Sequence, residues 1–287
     1  MNVTVNTPEA GLGKPGAALL TLTSLLGGVA LLVYAAQSGG SLENPVGYRV
    51  WEYGMIATAL AILGVGIVGS IRERRLSRTF LIAVSCATAF WQETYGDWGT
   101  YLLYSDKFHT YGWGQGPYTS PVQCWWFIAG YVVFYSTLMM SMRTVVAGIK
   151  QRWPNVNPYL GATLACFPVF YIFDFLMEAT VTGLGLWRYT YIFGPSLSVG
   201  SGTFPLLWPI VEQVPFIALA AWAMTWTNSE GHDVFDLAAT KVLRRPPGQL
   251  AILMSWIALV NLVFLVTTIL PLMLLRVVAG GPSVLVP

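Results

Sequence analysis

The sequence predicts an all-α integral membrane protein, a bundle of about seven transmembrane helices that forms one polytopic domain over residues 1–287. Hydrophobic residues make up 55% of the chain and charged residues only 10%, and the mean hydropathy is +0.60. A soluble globular chain carries roughly 25% charged residues, so this one has too little charge to cover a surface that faces water. The net charge of +2 provides no basic field for nucleic acid, and the expected surrounding is the lipid bilayer.

A spanning helix needs about 20 mainly apolar residues, and seven stretches meet this requirement after a polar amino-terminal tail at 1–16. They cover residues 17–36, 50–70, 79–98, 121–146, 159–181, 205–227 and 250–275. Lys and Arg concentrate in cytoplasmic loops. With the amino terminus inside, only four of the 15 basic residues lie outside, namely Arg49, Lys107, Arg188 and Arg276. We therefore expect a cytoplasmic amino terminus.

Motifs for nucleotide, zinc-protease or nucleophilic-serine chemistry do not occur in the sequence. It has no Walker A, HExxH or GxSxG pattern, and its three cysteines form no CxxC pair. Two histidines cannot build a His-rich metal site, although carboxylates can hold Mg²⁺ or Ca²⁺. We expect no metal centre and no cofactor.

Acidic residues are the main candidates for chemistry, because ionisable groups inside membrane helices are costly and usually functional. The predicted topology brings six of them to the outer half of the bilayer. They are Glu52, Glu93, Asp97, Asp174, Glu178 and Glu212. Isolated acids at helix ends, such as Glu52 and Asp97, are about as often simple interface residues.

The spacing of these acids strengthens the prediction. Glu93 and Asp97 are four residues apart, as are Asp174 and Glu178, so each pair shares a helix face, which Tyr171 joins in the second case. Prolines interrupt the fifth and sixth predicted helices near their acids, and irregular backbone is tolerated where it lines a cavity. Crowded acids with few cations nearby should keep some protons at neutral pH. A protonated acid beside an ionised one is suited to general acid–base catalysis.

Aromatic residues are predicted to lie beside the acids, in or near the outer half of the bilayer. A ring face stabilises a desolvated cation by about 0.5–2 kcal/mol, so this setting favours acid-catalysed chemistry on an apolar substrate through a cationic intermediate. The candidates are Trp91, Trp98, Trp125, Trp126, Trp187, Tyr189 and Trp208. His109 lies in the predicted outer loop 99–120, where a solvated histidine is the commoner explanation.

Two segments, FDFLMEATVTGLGLWRY (173–189) and SVGSGTFPLLWPIVEQVPF (198–216), resemble the AveC-like spirocyclases, which are bacterial membrane proteins. The shared pattern has an Asp and a Glu four apart, a Gly–aromatic–Tyr stretch, and a Gly and a Pro ahead of a Glu. It corresponds here to Asp174, Glu178, Gly185, Trp187, Tyr189, Gly202, Pro209 and Glu212. WQETYGDW (91–98) and YGWGQG (111–116) are also similar to the family, so the resemblance covers roughly residues 50–240.

The resemblance implies a cofactor-independent spiroketal cyclase of antibiotic biosynthesis, a multi-pass protein of the bacterial cytoplasmic membrane. Its substrate would be a hydrophobic polyketide dihydroxy ketone, cyclised with or without a dehydration. Glu212 or the Asp174–Glu178 pair would donate the proton, and Glu93 or Asp97 would accept one. The expected substrate-binding residues are Trp91, Trp98, His109, Trp113, Tyr171, Trp187, Arg188, Tyr189 and Trp208.

Two other functions are compatible with the same residues. The layout is also similar to membrane carotenoid cyclases and hydratases, whose acids would protonate a double bond, although Glu212-Gln213 stands where a double-acid pair is expected. Intramembrane acids serve proton relays as well, which makes a proton-coupled transporter the third possibility. Against it, the acids crowd one half of the bilayer and the sequence shows no inverted repeat.

Overall fold

The computed structural model describes residues 45–112, 116–200, 202–243 and 248–286, and this part of the chain is mainly helical. The predicted tail at 1–16, the predicted span 17–36 and Trp113 lie outside the described residues. The helices are α1 (Pro45–Glu73), α2 (Arg78–Thr88), α3 (Glu93–Thr100), α4 (Phe127–Arg152), α5 (Pro158–Gly183), α6 (Trp208–Thr225), α7 (Val234–Leu243), α8 (Gln249–Phe264) and α9 (Leu270–Ala279). A 3₁₀ turn (Ala89–Gln92) joins α2 to α3, and a π-helical turn (Leu265–Ile269) joins α8 to α9.

Four helices of the described part are long and apolar enough to cross a membrane: Gly47–Glu73, Phe127–Arg152, Pro158–Gly183 and Gln249–Ala279. They overlap the predicted spans 50–70, 121–146, 159–181 and 250–275, and they indicate an integral membrane protein. The predicted start at 121 is six residues too early. The chain before Phe127 is a loop in which Cys124 pairs with Thr110 as an isolated bridge.

The predicted span 79–98 is not one continuous helix. Ser77 caps α2 by accepting a hydrogen bond from the Phe80 backbone N–H at 3.2 Å, and the helix ends at Thr88. The 3₁₀ turn that follows is fixed to α8, because the side chains of Trp91 and Gln92 both donate to the Asn261 side-chain oxygen. The predicted span 205–227 is also shorter in the structure, where α6 begins only after a short strand.

The bundle is organised around α4, which packs against α1, α2, α5 and α6. Its buried face shares an apolar core with α2, α6 and α8. The short helix α3 packs against α9, and Gly99 permits this approach because an added Cβ would lie 2.9 Å from the Leu272 backbone. The acid-bearing helices α3, α5 and α6 are therefore held by contacts with the rest of the bundle.

Two small antiparallel sheets connect the loops. β1 (Leu102–Tyr104) pairs with β2 (Trp187–Tyr189), so the loop after α3 is joined to the loop after α5. β3 (Ser196–Val199) pairs with β4 (Gly202–Pro205), which leads directly into α6. Gly202 passes so close to the end of α5 that a Cβ there would overlap the Thr182 carbonyl. These sheets fix the relative positions of the helix ends that carry the acids.

Candidate active site

A cavity of about 160 Å³ lies inside the bundle, between α3, α4, α5, α6 and the π turn, with β1 and β2 on its border. Five carboxyl side chains line this acidic cavity. They are Glu93, Asp97, Asp174, Glu178 and Glu212. The structure thus places all five predicted catalytic acids around one space.

Helical periodicity explains how each pair reaches the cavity. Residues 93, 96, 97 and 100 of α3 line it, as do residues 170, 173, 174, 177 and 178 of α5, and both sets follow the spacing of a single helix face. Tyr171 lies outside this face; its hydroxyl donates to the Leu206 carbonyl at 2.9 Å. The predicted substrate contact at Tyr171 is therefore not part of the cavity wall.

The β1–β2 sheet supplies hydrogen-bond donors to two of the acids. The Tyr104 hydroxyl donates to Glu93 Oε1 at 2.9 Å. Trp187 Nε1 and the Tyr189 hydroxyl both donate to Glu178 Oε2, at 2.8 and 3.1 Å. Hydrogen bonds of this kind favour the ionised form of a carboxyl group and offset part of the cost of its burial. Glu93 and Glu178 are therefore better able to carry negative charge than cavity acids that lack such donors.

The two tyrosines of this sheet stay protonated. Burial raises the pKa of Tyr189 well above its usual range, and the carboxylates of Glu178, Asp174 and Glu212 raise it further. Burial likewise raises the pKa of Tyr104, with a contribution from the Asp97 and Glu93 carboxylates. Both phenols therefore act as donors throughout the ordinary pH range.

The alternation of side chains along β2 places one predicted substrate contact, Arg188, outside the cavity wall. Trp187 and Tyr189 line the cavity, and because successive strand residues point to opposite faces, Arg188 points away from it and is exposed. Among the lining residues that the structure describes, none is Lys, Arg or His. Asp97 feels the charges of Glu93, Glu178 and Glu212 instead of a cation. Because like charges repel strongly in a medium of low dielectric, the five groups cannot all be ionised together.

Three other predicted substrate contacts lie elsewhere. Trp91 is 43% exposed and its indole is bound to Asn261. Trp98 stacks on the Arg276 guanidinium at 4.0 Å, next to the ring of Tyr101, because it points about 100° away from the face that carries Asp97. His109 contacts Glu52 on the side of α1.

Glu52, which the sequence analysis grouped with the other acids, forms a separate ion-pair cluster. Its carboxylate is 3.0 Å from His109 Nδ1 and 2.5 Å from Arg49 Nη1, and it accepts the His109 backbone N–H at 2.6 Å. We call Arg49, Glu52 and His109 the Glu52 cluster. It anchors the loop after β1 to α1 and contributes nothing to the cavity wall.

The cavity wall also holds buried polar atoms that have no hydrogen-bond partner among the described residues. They are Asp97 Oδ2, Trp126 Nε1, Trp208 Nε1, Gln213 Oε1 and Thr268 Oγ1. A buried polar group without a partner costs about 1–3 kcal/mol, and such groups on a cavity wall are suited to bind a ligand. Among them, Asp97 and Trp208 were predicted site residues, and Trp126 was one of the aromatic residues predicted to lie beside the acids.

Thr268 owes its position to the π turn, which interrupts the last spanning helix where it borders the cavity. Such turns are often found at functional sites. The sequence gives no signal for it, since the helical hydropathy pattern continues without a break. Gln213 was detectable only as a polar residue next to Glu212 within an apolar helix.

Carboxylate oxygens are the ligands that Mg²⁺ and Ca²⁺ use in proteins. Among the described residues, no group of three or more His, Cys, Asp or Glu has an arrangement that could hold a metal ion.

Comparison with known proteins identifies the family. A search of curated proteins and a search of solved structures each found no significant match. The family model described as "Spirocyclase AveC-like" matches residues 72–286, from the last turn of α1 through α9. This range contains every residue that lines the acidic cavity, and it extends beyond the predicted limit of 240. The chain belongs to the AveC-like spirocyclase family, which indicates an enzyme with a cyclase role in polyketide biosynthesis.

Proposed function

We propose that this protein is a spiroketal cyclase, embedded as a multi-pass protein in the bacterial cytoplasmic membrane. It closes a hydrophobic dihydroxy ketone of polyketide origin by general acid–base catalysis, without a cofactor. The observation that carries the proposal is the acidic cavity, in which five carboxyl groups and no basic side chain of the described wall surround one space. Such a set holds protons and carboxylates side by side, as the reaction requires.

The reaction proceeds in two closures and releases one water. One hydroxyl oxygen adds to the ketone carbon, and its proton passes through a carboxylate to the former carbonyl oxygen, giving a hemiketal. A carboxylic acid then protonates the hemiketal hydroxyl. The bond between the hemiketal carbon and this oxygen breaks, water departs, and an oxocarbenium ion remains. The second hydroxyl attacks this carbon while a carboxylate accepts its proton, which restores the protonation state of the site.

The hydrogen bonds divide these roles among the acids. Glu178 receives two donors and Glu93 receives one from Tyr104, so these two suit the proton-accepting steps. Asp174 and Glu212 line the same cavity without a hydrogen bond from the described residues, and they suit proton donation. Both carboxyl groups interact electrostatically with Glu178. A proton that Asp174 or Glu212 donates to the substrate can therefore be replaced by the proton that Glu178 accepts.

The aromatic wall suits the cationic intermediate. Twelve of the described lining residues are Phe, Tyr or Trp, and Trp126 stacks on Trp187 with ring centres 5.8 Å apart. A ring face attracts a desolvated cation, and the apolar surroundings exclude water that would add to the oxocarbenium and return it to the hemiketal. The cavity volume of about 160 Å³ is close to that of engineered cavities that hold one benzene ring. The reacting segment would enter it while the rest of the polyketide stays outside.

The unpartnered polar atoms favour an oxygenated substrate over a polyene. Trp126 and Trp208 offer N–H donors to a carbonyl or ether oxygen, whereas Asp97 Oδ2 and Gln213 Oε1 offer acceptors to hydroxyl groups. A carotenoid or isoprenoid chain would fill the same space and leave all of them without partners. The wall therefore matches the keto and hydroxyl groups of the proposed substrate.

The test uses the purified protein in nanodiscs and a symmetric nine-carbon ketone with a hydroxyl at each end. Spontaneous closure of this compound gives a racemic spiroketal. We expect the protein to accelerate closure and to give one enantiomer in excess, measured by chiral gas chromatography. A polyene offered in parallel should remain unchanged. A racemic product formed at the background rate, or conversion of the polyene alone, would contradict the proposal.

A further inference from the structure

Two polar groups of the acidic cavity have no part in the proposed proton transfers. Gln213 Oε1 and Thr268 Oγ1 are buried on the cavity wall and have no hydrogen-bond partner among the described residues. An amide and an alcohol neither gain nor lose a proton at ordinary pH, so they cannot replace any of the carboxyl groups. A ligand that binds them would recover the free energy that a buried polar group without a partner costs.

Gln213 and Thr268 lie at the same level of the bundle, on helices that run in opposite directions. The start of α6 and part of α9 border the same cavity, which fixes this antiparallel arrangement. The rings of Phe216 in α6 and Phe264 at the end of α8 have their centres 4.7 Å apart. Gln213 comes three residues before Phe216, and Thr268 comes four residues after Phe264. Each therefore lies about one helical turn from this ring pair, on the side of the acids.

The π turn gives Thr268 a different role from the threonine beside it. Thr267 donates its hydroxyl to the Val263 carbonyl at 2.7 Å, as threonines within helices often do. Thr268 makes no such bond to a described residue, is only 3% exposed and lines the cavity, with Ile269 next to it on the wall. Its hydroxyl is thus directed into an apolar part of the wall, where a polar group of the ligand can reach it.

On the basis of the proposed cyclase function, we propose that Gln213 and Thr268 form a hydroxyl subsite, which binds a substrate hydroxyl that takes no part in ring closure. The substrate is then a ketone with at least three hydroxyl groups. Such a hydroxyl donates to Gln213 Oε1 and accepts from Thr268 Oγ1 at once, whereas an ether or carbonyl oxygen has no proton for the amide oxygen. Gln213 directly follows Glu212, so the bound hydroxyl belongs to a carbon of the ring that is being formed.

The test compares the nine-carbon ketone diol with a triol that carries one more hydroxyl, two carbons from the ketone. This hydroxyl cannot close on the ketone itself, because the ring would have only four members. The faster-closing enantiomer of the triol should have a kcat/KM roughly thirtyfold above that of the diol, the value of two hydrogen bonds. Thr268→Val removes one of them and should reduce this preference to roughly fivefold. Thr268→Ser keeps the hydroxyl and should retain the preference.

Thr267→Val is the matched control, because it removes the neighbouring hydroxyl, which binds the Val263 carbonyl outside the cavity wall. It should leave the preference for the triol unchanged, whereas the double variant Gln213→Met/Thr268→Val should abolish it. The preference is a ratio of two kcat/KM values from one preparation, so it does not depend on the fraction of a variant that is folded.

The outcomes separate the hydroxyl subsite from the cyclase function. Equal kcat/KM values for triol and diol would overturn the subsite and leave the cyclase function in place, as would an equal loss of preference in Thr267→Val and Thr268→Val. Failure to accelerate either closure would contradict the cyclase function. Binding then tests the subsite alone: by calorimetry in nanodiscs, the hydroxylated spiroketal should bind roughly thirtyfold more tightly than the unsubstituted one. Equal affinities would overturn the subsite.

Discussion

The acidic cavity and the Glu52 cluster both remove carboxyl groups from water within a membrane protein, but they differ in their neighbours. Glu52 has Arg49 and His109 within 3.0 Å, and its second oxygen binds a backbone N–H. The five cavity acids have other acids, phenols and indoles around them, with no basic residue in the described wall. A paired carboxylate contributes to stability, whereas crowded unpaired carboxyls reduce it and remain available for proton transfer.

The largest effect is expected from Glu212→Gln and Asp174→Asn, which remove the proposed proton donors without changing side-chain size. The rate of spiroketal formation should fall by about 10²–10⁴ fold, the usual contribution of a positioned acid or base. The melting temperature should stay the same or rise, because neither carboxyl group has a hydrogen bond to another described residue that the substitution would break. Full turnover in both variants, measured with the nine-carbon substrate, would remove these acids from the mechanism.

Replacing the acid of the Glu52 cluster by its amide should have the opposite result: the protein should lose stability and keep its activity. Glu52→Gln leaves Arg49 and His109 without their carboxylate, and should lower the free energy of unfolding by about 1–3 kcal/mol. The catalytic rate of the folded protein should change less than twofold, since Glu52 does not line the cavity. The measurement is a melting curve together with a turnover assay below the melting temperature. A stable but inactive Glu52→Gln protein would show that the comparison between the regions is wrong.

The spacing in the sequence predicted which acids share a helix face, but it did not separate Glu52 from the acids that line the cavity. Spacing within α3 and α5 is local, so Glu93 with Asp97 and Asp174 with Glu178 could be assigned to shared faces. The ion pair of Glu52 joins α1 to a loop 57 residues away, and that distance has no local signature. A predicted position in the same half of the bilayer therefore did not imply a position in the same cavity.

The aromatic and polar wall was less predictable for the same reason. Trp187 and Tyr189 were recognised from the family pattern, but the side of Arg188 depends on the pairing of β2 with β1. Thr268 reaches the cavity only through the π turn. Such contacts depend on backbone geometry that arises when distant elements pack together. They cannot be predicted from the spacing of residues within one helix.

The indole N–H groups of Trp208 and Trp51 allow the same comparison to be made for a single hydrogen-bond donor. Both indole N–H groups are buried without a partner in the described part of the chain, but only Trp208 lines the cavity. Trp208→Phe should raise the KM for the dihydroxy ketone roughly tenfold, the value of one hydrogen bond, while Trp51→Phe should leave it unchanged. Neither change should lower the melting temperature by much, because neither breaks a hydrogen bond. Equal KM values in the two variants would show that the indole of Trp208 does not bind substrate.

The smallest effect is expected from Tyr189→Phe, which removes one of the two donors to Glu178 Oε2 and leaves Trp187 in place. The carboxylate keeps one hydrogen bond, so the rate should fall only about threefold to tenfold. Tyr191→Phe is the matched control, since that ring packs on Tyr101 outside the cavity wall. In a Glu178→Gln background the effect of Tyr189→Phe should disappear, because two residues that act through one interaction are not additive. An undiminished effect in that background would show that Tyr189 acts on the substrate itself. The hydrogen bond from Tyr189 would then not be what distinguishes the role of Glu178 from the roles of Asp174 and Glu212.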